Sequence, residues 1–238
     1  MNSWDYMKGG DYAKAVEAYS ESLQENMSRG DLFNRALAYL NMGDHIHALS
    51  DLDEAERNYR EDTYLAKHNH LTDSYRNFMG VIHWLAGNTS LALTVWRDLL
   101  SDHEARLITY TDAAGGIETP CLAWFGGTMQ ADSELVHRAE LLLKKRLRSK
   151  QAMAFPGAIG QYLLGTITDD DLILAASVSI PLASRHLCRA KFWMGVKACT
   201  AGNQANAITM FRESVESRAL LEEEFYLAGN ELKRLTKA

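Results

Sequence analysis

The stretch NRALAYLNMGDHIHALSDLDEA, residues 34–55, decides the fold of this chain. It contains one apolar helical segment that stops at Gly43 and a second one that starts after Asp44. Glycine readily adopts the left-handed conformation that ends a helix, and aspartate is a frequent first residue of the next one. The small side chain of Ala48 and the large side chain of Leu52 follow. The stretch therefore predicts two helices that pack closely at Ala48, with Leu52 filling the groove beside it.

The same arrangement recurs at three other places in the chain. Each copy has a glycine followed by Asp or Asn, then an alanine, and then a large apolar residue one helical turn later. The three copies are Gly10, Ala15 and Tyr19; Gly87, Ala92 and Trp96; and Gly202, Ala207 and Phe211. Strand patterns are scarce, so the repeats predict an all-α chain of helical hairpins.

This pattern resembles the tetratricopeptide repeat (TPR) family, whose motif is W-x2-L-G-x2-Y, then A-x3-F, then P, over about 34 residues. Gly80 and Gly195 stand at the family's glycine and Tyr39 at its tyrosine, but the closing proline is missing from all four copies. The likeness covers residues 2–102 and 185–235. It implies an irregular TPR-like helical hairpin solenoid of about five helix pairs, with residues 1–238 in a single domain.

The middle of the chain departs from the motif. A short helix is predicted from Pro120 to Phe125, closed by the two glycines at 126–127, and Asp132 or Ser133 would cap the next helix. The sequence Thr168-x-x-Asp171 predicts a capping box. Residues 161–173 together with 189–195 look like the C-terminal half of many bacterial TPR proteins, among them lipoproteins and immunity proteins of polymorphic toxin systems. The chain has no lipobox cysteine, so the lipoprotein role does not carry over.

The composition favours an acidic protein of the cytoplasm. Lys and Arg number 25 against 31 Asp and Glu, which gives a net charge of −6. That sign suits a basic protein partner better than nucleic acid, although a modest charge also simply keeps a protein in solution. The three cysteines form no C-x-x-C pair, which is typical of a reducing compartment. We expect a cytoplasmic protein without a signal peptide or membrane span.

No group of residues predicts catalysis, a cofactor or a metal. Residues 67–70 read Lys-His-Asn-His, the letters of an HNH motif, but no strand pattern precedes them. His83, at the family's tyrosine position, is expected to be packed and hydrogen-bonded. The acidic runs at 169–171 and 222–224 match no catalytic pair. The basic residues at 144–150 fit the end of a helix, where the helix dipole favours positive charge, with nucleic-acid binding as the alternative.

The TPR resemblance implies which residues would bind a partner, because the first helix of each pair lines a concave surface in that family. Counted from the family's glycine, these positions are Phe33, Leu37, Leu40 and Asn41 in the second copy, Asn77, Val81, Trp84 and Leu85 in the third, and Phe192, Val196, Cys199 and Thr200 in the last. They are mostly apolar or aromatic. The alternative is that some of them pack against a neighbouring repeat or the C-terminal helix.

Together these features predict a non-enzymatic protein that binds another protein. The specific hypothesis is an immunity protein that neutralises a cognate bacterial toxin with a basic domain. The alternative is a general TPR adaptor or co-chaperone. No nucleic acid, membrane, metal or cofactor is expected to bind.

Overall fold

The computed structural model describes residues 2–61, 71–110 and 112–237, and these ranges form an all-α structure. Thirteen α-helices lie in them and pack in consecutive pairs. The only strand pairing in the described ranges joins two residues of β1 (Leu71–Thr72) in parallel with two residues of β2 (Ile108–Thr109). None of the described helices combines the length and the apolar character needed to cross a membrane. The prediction of an all-α fold built from helix pairs is confirmed.

The chain forms two compact units, of which the first contains residues 1–95 and 105–109. Its helices are α1 (Ser3–Gly9), α2 (Tyr12–Glu25), α3 (Arg29–Asn41), α4 (His45–Glu61), α5 (Ser74–Leu85) and the first part of α6 (Thr89–Glu104). From α1 to α5, each helix packs against the next one in the chain.

The second unit contains residues 96–104 and 110–238. Its helices after α6 are α7 (Glu118–Met129), α8 (Ser133–Arg146), α9 (Gly157–Leu163), α10 (Asp169–Ser177), α11 (Ala183–Thr200), α12 (Gln204–Glu216) and α13 (Glu223–Lys237), with 3-10 turns at Lys150–Met153 and Ile180–Leu182. Helix α11 packs against α10, α12 and α13, and α7 packs against α8.

The turns of the four repeats have the predicted geometry. The glycine of each copy is left-handed, with φ of 81° at Gly10, 79° at Gly43, 80° at Gly87 and 75° at Gly202. In the last copy, the side chain of Asn203 accepts a hydrogen bond from the backbone N–H of Asn206 and caps α12. The prediction that one helix ends at the glycine of each repeat and the next begins just after it is therefore confirmed.

The small-to-large pairs lie in the core, as predicted. The four alanines are fully buried, and the large residues that follow them are buried too: Ala15 and Tyr19, Ala48 and Leu52, Ala92 and Trp96, and Ala207 and Phe211. The close approach is sharpest between α11 and α12, where a Cβ atom on Gly195 would lie 2.6 Å from Cε1 of Phe211. Only glycine at 195 leaves room for that ring.

The predicted end of a helix at Gly126 is wrong, because α7 continues through both glycines to Met129. Gly127 serves packing, since a Cβ there would lie 2.9 Å from Cγ2 of Val136 and 3.1 Å from the carbonyl oxygen of Asp132. The turn is made instead by Ala131, with φ of 55°, and Asp132 caps α8. The capping box of Thr168 is present, and it starts α10.

Candidate functional site

Most of the residues predicted to bind a partner are buried. Seven of the ten main candidates are buried, namely Leu37, Leu40, Asn77, Val81, Trp84, Phe192 and Val196. Phe33, Asn41 and Leu85 are half-buried, and the ring of Phe33 meets that of Phe78 edge-on with 5.1 Å between centroids. Of the two further positions, Cys199 is half-buried and Thr200 is exposed. The periodicity that suggested a lined groove therefore places most of these side chains in helix–helix contacts.

Exposed apolar side chains concentrate elsewhere, in residues 174–182 of the second unit. The exposed fraction is 69% for Leu174, 77% for Val178, 87% for Ile180 and 40% for Leu182. We call these four residues the α10 strip. Single exposed apolar residues are ordinary on protein surfaces, whereas several in one short segment are typical of an interaction site.

The local sequence explains why the α10 strip faces outward. Leu172 and Ala176 are one turn apart, both are fully buried, and α10 packs against α11. Leu174 lies two residues from each of them and therefore on the opposite side of the helix. Val178 is one turn after Leu174, so α10 is apolar on its solvent side as well as on its core side.

The N-terminal end of α10 is acidic. Asp169, Asp170 and Asp171 are all exposed and occupy its first turn. Asp169 accepts a hydrogen bond of 2.7 Å from the hydroxyl of Tyr162, and Asp171 accepts from the backbone N–H of Thr168 at 3.0 Å. These bonds to Thr168 lower the pKa of Asp171. The strip therefore begins with negative charge and continues into apolar surface.

An aromatic contact lies beside the C-terminal end of α10. The His186 ring stacks on Phe155 with 4.2 Å between centroids, and it lies near the backbone of Ala176. Burial and the nearby charge of Arg189 lower the pKa of His186, so its imidazole is neutral at pH 7.

A cluster of buried charges lies around Arg189 in the same unit. Its NH1 atom is 2.9 Å from Oε1 of Glu118, and its Nε atom is 3.0 Å from Oε1 of Glu224 and 3.6 Å from Oε2 of Glu222. Oε1 of Glu224 also accepts a 3.0 Å hydrogen bond from the indole N–H of Trp193. We call Arg189 with the glutamates 118, 222, 223 and 224 the Arg189 cluster.

The Arg189 cluster contains more acids than bases. Arg185 contributes a second cation through its Nε bond to Glu222, but four carboxyl groups still face two arginines. Glu223 is only 6% exposed. No described residue makes a hydrogen bond or ion pair with its side chain. Burial first, and then the charges of Glu118 and Glu224, raise its pKa well above the usual value. The surroundings of Glu223 therefore favour its protonated form.

The three adjacent glutamates have the oxygen chemistry of a metal site, with ligand atoms within 4.8 Å of one another. The guanidinium of Arg189 already bonds the carboxylates of Glu222 and Glu224 and supplies the positive charge that a cation would bring. The arrangement acts as a structural ion pair network that ties α7, α11 and α13 together.

The cysteines and histidines form no reactive centre in the described part of the chain. Burial raises the pKa of Cys121 and of Cys199, and raises that of Cys188 to about 11, which keeps all three as neutral thiols. His83 is half-buried with its pKa lowered by burial, and its Nδ1 has no hydrogen-bond partner among the described residues, unlike the expectation. Residues 67–70 lie outside the described residues.

The remaining charged features have local explanations. The basic residues Lys144, Lys145 and Arg146 form the last turn of α8, as predicted, and the Arg146 guanidinium lies 4.0 Å from the ring centre of Tyr110. In the first unit, a cleft of about 440 Å³ is lined by Asp53, Glu56, Arg57, Arg76 and Met79, none of which is a nucleophile of the hydroxyl or thiol type.

Sequence reasoning missed both the α10 strip and the Arg189 cluster. The strip left a readable signal, because Leu174 and Val178 are spaced one turn apart on the side opposite Leu172, and the apolar run continues through Ile180. The cluster left none, since its arginine is more than thirty residues from the glutamates in the chain.

No protein-family model matches the chain, and no curated protein sequence matches it. The resemblance to TPR proteins therefore stays a prediction from the glycine, alanine and aromatic positions of the repeats.

Proposed function

We propose that this chain is a non-enzymatic protein-binding protein that uses the α10 strip to bind another protein. The observation that carries the proposal is the exposure of four large apolar side chains within residues 174–182, which run from α10 through the 3-10 turn that follows it; α10 packs against α11. Burial of apolar surface is the main driving force of protein association, and such surface on one segment favours a partner that covers it. The carboxylates of Glu118, Glu222 and Glu224 bond Arg189, which supports a structural role for this buried cluster.

The specific form of the proposal is an immunity protein that neutralises a cognate bacterial toxin in the cytoplasm. The net charge of −6 and the likeness of the C-terminal half to bacterial TPR proteins support it. A general adaptor or co-chaperone is the second candidate, favoured by the helix-pair architecture itself, which many scaffolding proteins use.

The test is a growth assay with the toxin-domain protein that the immunity proposal expects to be encoded directly upstream of this chain's gene. Cells that express the toxin domain should stop growing, and co-expression of this chain should restore growth. The purified proteins should also co-elute and inhibit the toxin's reaction at a one-to-one ratio. Co-elution without inhibition would favour the adaptor, and neither growth rescue nor co-elution would refute the immunity role.

A further inference from the structure

We infer that the α10 strip binds a cationic amphipathic segment of the partner, with Lys or Arg at the Asp170 end and apolar side chains at the Ile180 end. This inference rests on the proposed protein-binding function and adds to it the chemistry and the direction of the bound segment. It follows from the spacing, the charge and the unused hydrogen-bonding capacity of α10.

The spacing places charge and apolar surface on one face. Asp170, Leu174 and Val178 follow one another at intervals of four residues, so their side chains lie on the same side of α10. With a rise of about 1.5 Å per residue, the carboxylate and the Val178 side chain are about 12 Å apart along the axis. A partner helix of two to three turns spans that distance.

The carboxylate of Asp170 is available to a partner. Asp169 is bonded to Tyr162, and Asp171 forms the capping box with Thr168, so both have a local structural role. Asp170 is exposed, and among the described residues none makes a hydrogen bond or ion pair with it. Lys197 lies near the Asp169 end, where its Nζ donates to the carbonyl oxygen of Tyr162 at 2.8 Å, so Asp170 is the carboxylate of the first turn that has no local structural role.

Charge complementarity selects the occupant. A cationic segment satisfies Asp170 and covers Leu174, Val178 and Ile180 together. A second copy of this chain would offer an equivalent apolar strip but an acidic first turn in place of the cation. A membrane surface rich in anionic lipids would be repelled by the same turn.

The experiment uses the full chain and two synthetic helical peptides with the same apolar face, one with Lys and one with Glu at the polar positions. The peptide with Lys (the Leu/Lys peptide) should bind in titration calorimetry or fluorescence anisotropy. Its affinity should fall at least ten-fold between about 50 and about 300 mM salt, because salt in this range screens interactions between exposed charges. The Leu/Glu peptide should not bind. Equal affinity for both peptides, or no effect of salt, would overturn the inference.

Two variants locate the binding to the strip. Leu174→Ser with Val178→Ser should weaken binding of the Leu/Lys peptide at least ten-fold, and Asp170→Asn should weaken it several-fold and reduce the salt dependence. The matched control is Leu141→Ser, which changes a leucine that is 53% exposed on α8 and should leave binding unchanged. All of these side chains are exposed, and unchanged melting temperatures confirm that the variants fold.

Failure of the inference and failure of the proposed function give different results. If the wild-type chain restores growth and the strip variants restore it equally well, the function stands and the strip is not the docking site. If the wild type does not restore growth, the immunity role fails whatever the peptides do. A wild-type dimer that the double serine variant converts to a monomer would overturn the cationic partner in favour of a second copy.

Discussion

Replacing Arg189 with Met tests whether the Arg189 cluster holds the second unit together. The methionine keeps much of the apolar stem of the side chain but removes its charge and its N–H donors. Glu118, Glu222 and Glu224 would then face one another in the core without the cation that now bonds all three. Arg185 remains, but among the glutamates of the Arg189 cluster it bonds Glu222.

The expected loss is about 3–5 kcal/mol of unfolding free energy, the range measured when one partner of a buried ion pair is removed. The upper half of the range applies here, because Arg189 is only 7% exposed and serves three carboxylates. Such a loss is a large share of the about 5–15 kcal/mol that stabilises an ordinary domain. Part of the lost stability should return at lower pH, because protonation removes the charge of the unpaired carboxylates and with it the cost of burying them.

The assay is equilibrium unfolding in urea, followed by circular dichroism and tryptophan fluorescence at pH 7 and pH 5. Arg138→Met is the matched control, because Arg138 forms a partly exposed ion pair with Glu104 that contributes at most about 1 kcal/mol. A loss for Arg189→Met below about 1 kcal/mol, or a loss equal to that of the control, would refute the structural role of the cluster.

The other predictions concern buried residues of both units. Glu223→Gln should keep or increase stability at pH 8. The raised pKa of Glu223 means that folding binds a proton, so the wild-type unfolding free energy falls as pH rises above about 4.3, the usual glutamate pKa. Urea unfolding at several pH values from 5 to 8 should show a weaker dependence of the unfolding free energy on pH in the variant than in the wild type. Ala48→Leu and Ala207→Leu should each lose about 1–3 kcal/mol by overpacking, measured by urea unfolding, and a neutral result would contradict the close helix contact. Trp84→Ala should lower the melting temperature and cost about 3–5 kcal/mol of stability, because the indole is only 5% exposed. A variant that keeps its melting temperature and loses only affinity for the partner would show that Trp84 is a binding residue.

Local features of the sequence were sufficient for the helices and turns of the four repeats. A left-handed glycine and a capping side chain act within a few residues, so Gly43, Gly202 and the capping box at Thr168 could be read directly. The alanine at the helix contact is part of the same short pattern, which is why Ala48 and Ala207 were placed in the core correctly.

Tertiary structure decided everything that depends on which helix face meets which neighbour. Gly127 and Gly43 are the same residue type, but only the packing of α8 against α7 shows that Gly127 makes room for Val136 and does not end a helix. Trp84 and Leu174 are both large and apolar, and the repeat pattern places only Trp84 among the predicted binding residues. The structure buries Trp84 and exposes Leu174, because the contacts of each helix, formed by residues distant in the chain, determine whether a side chain is buried or exposed.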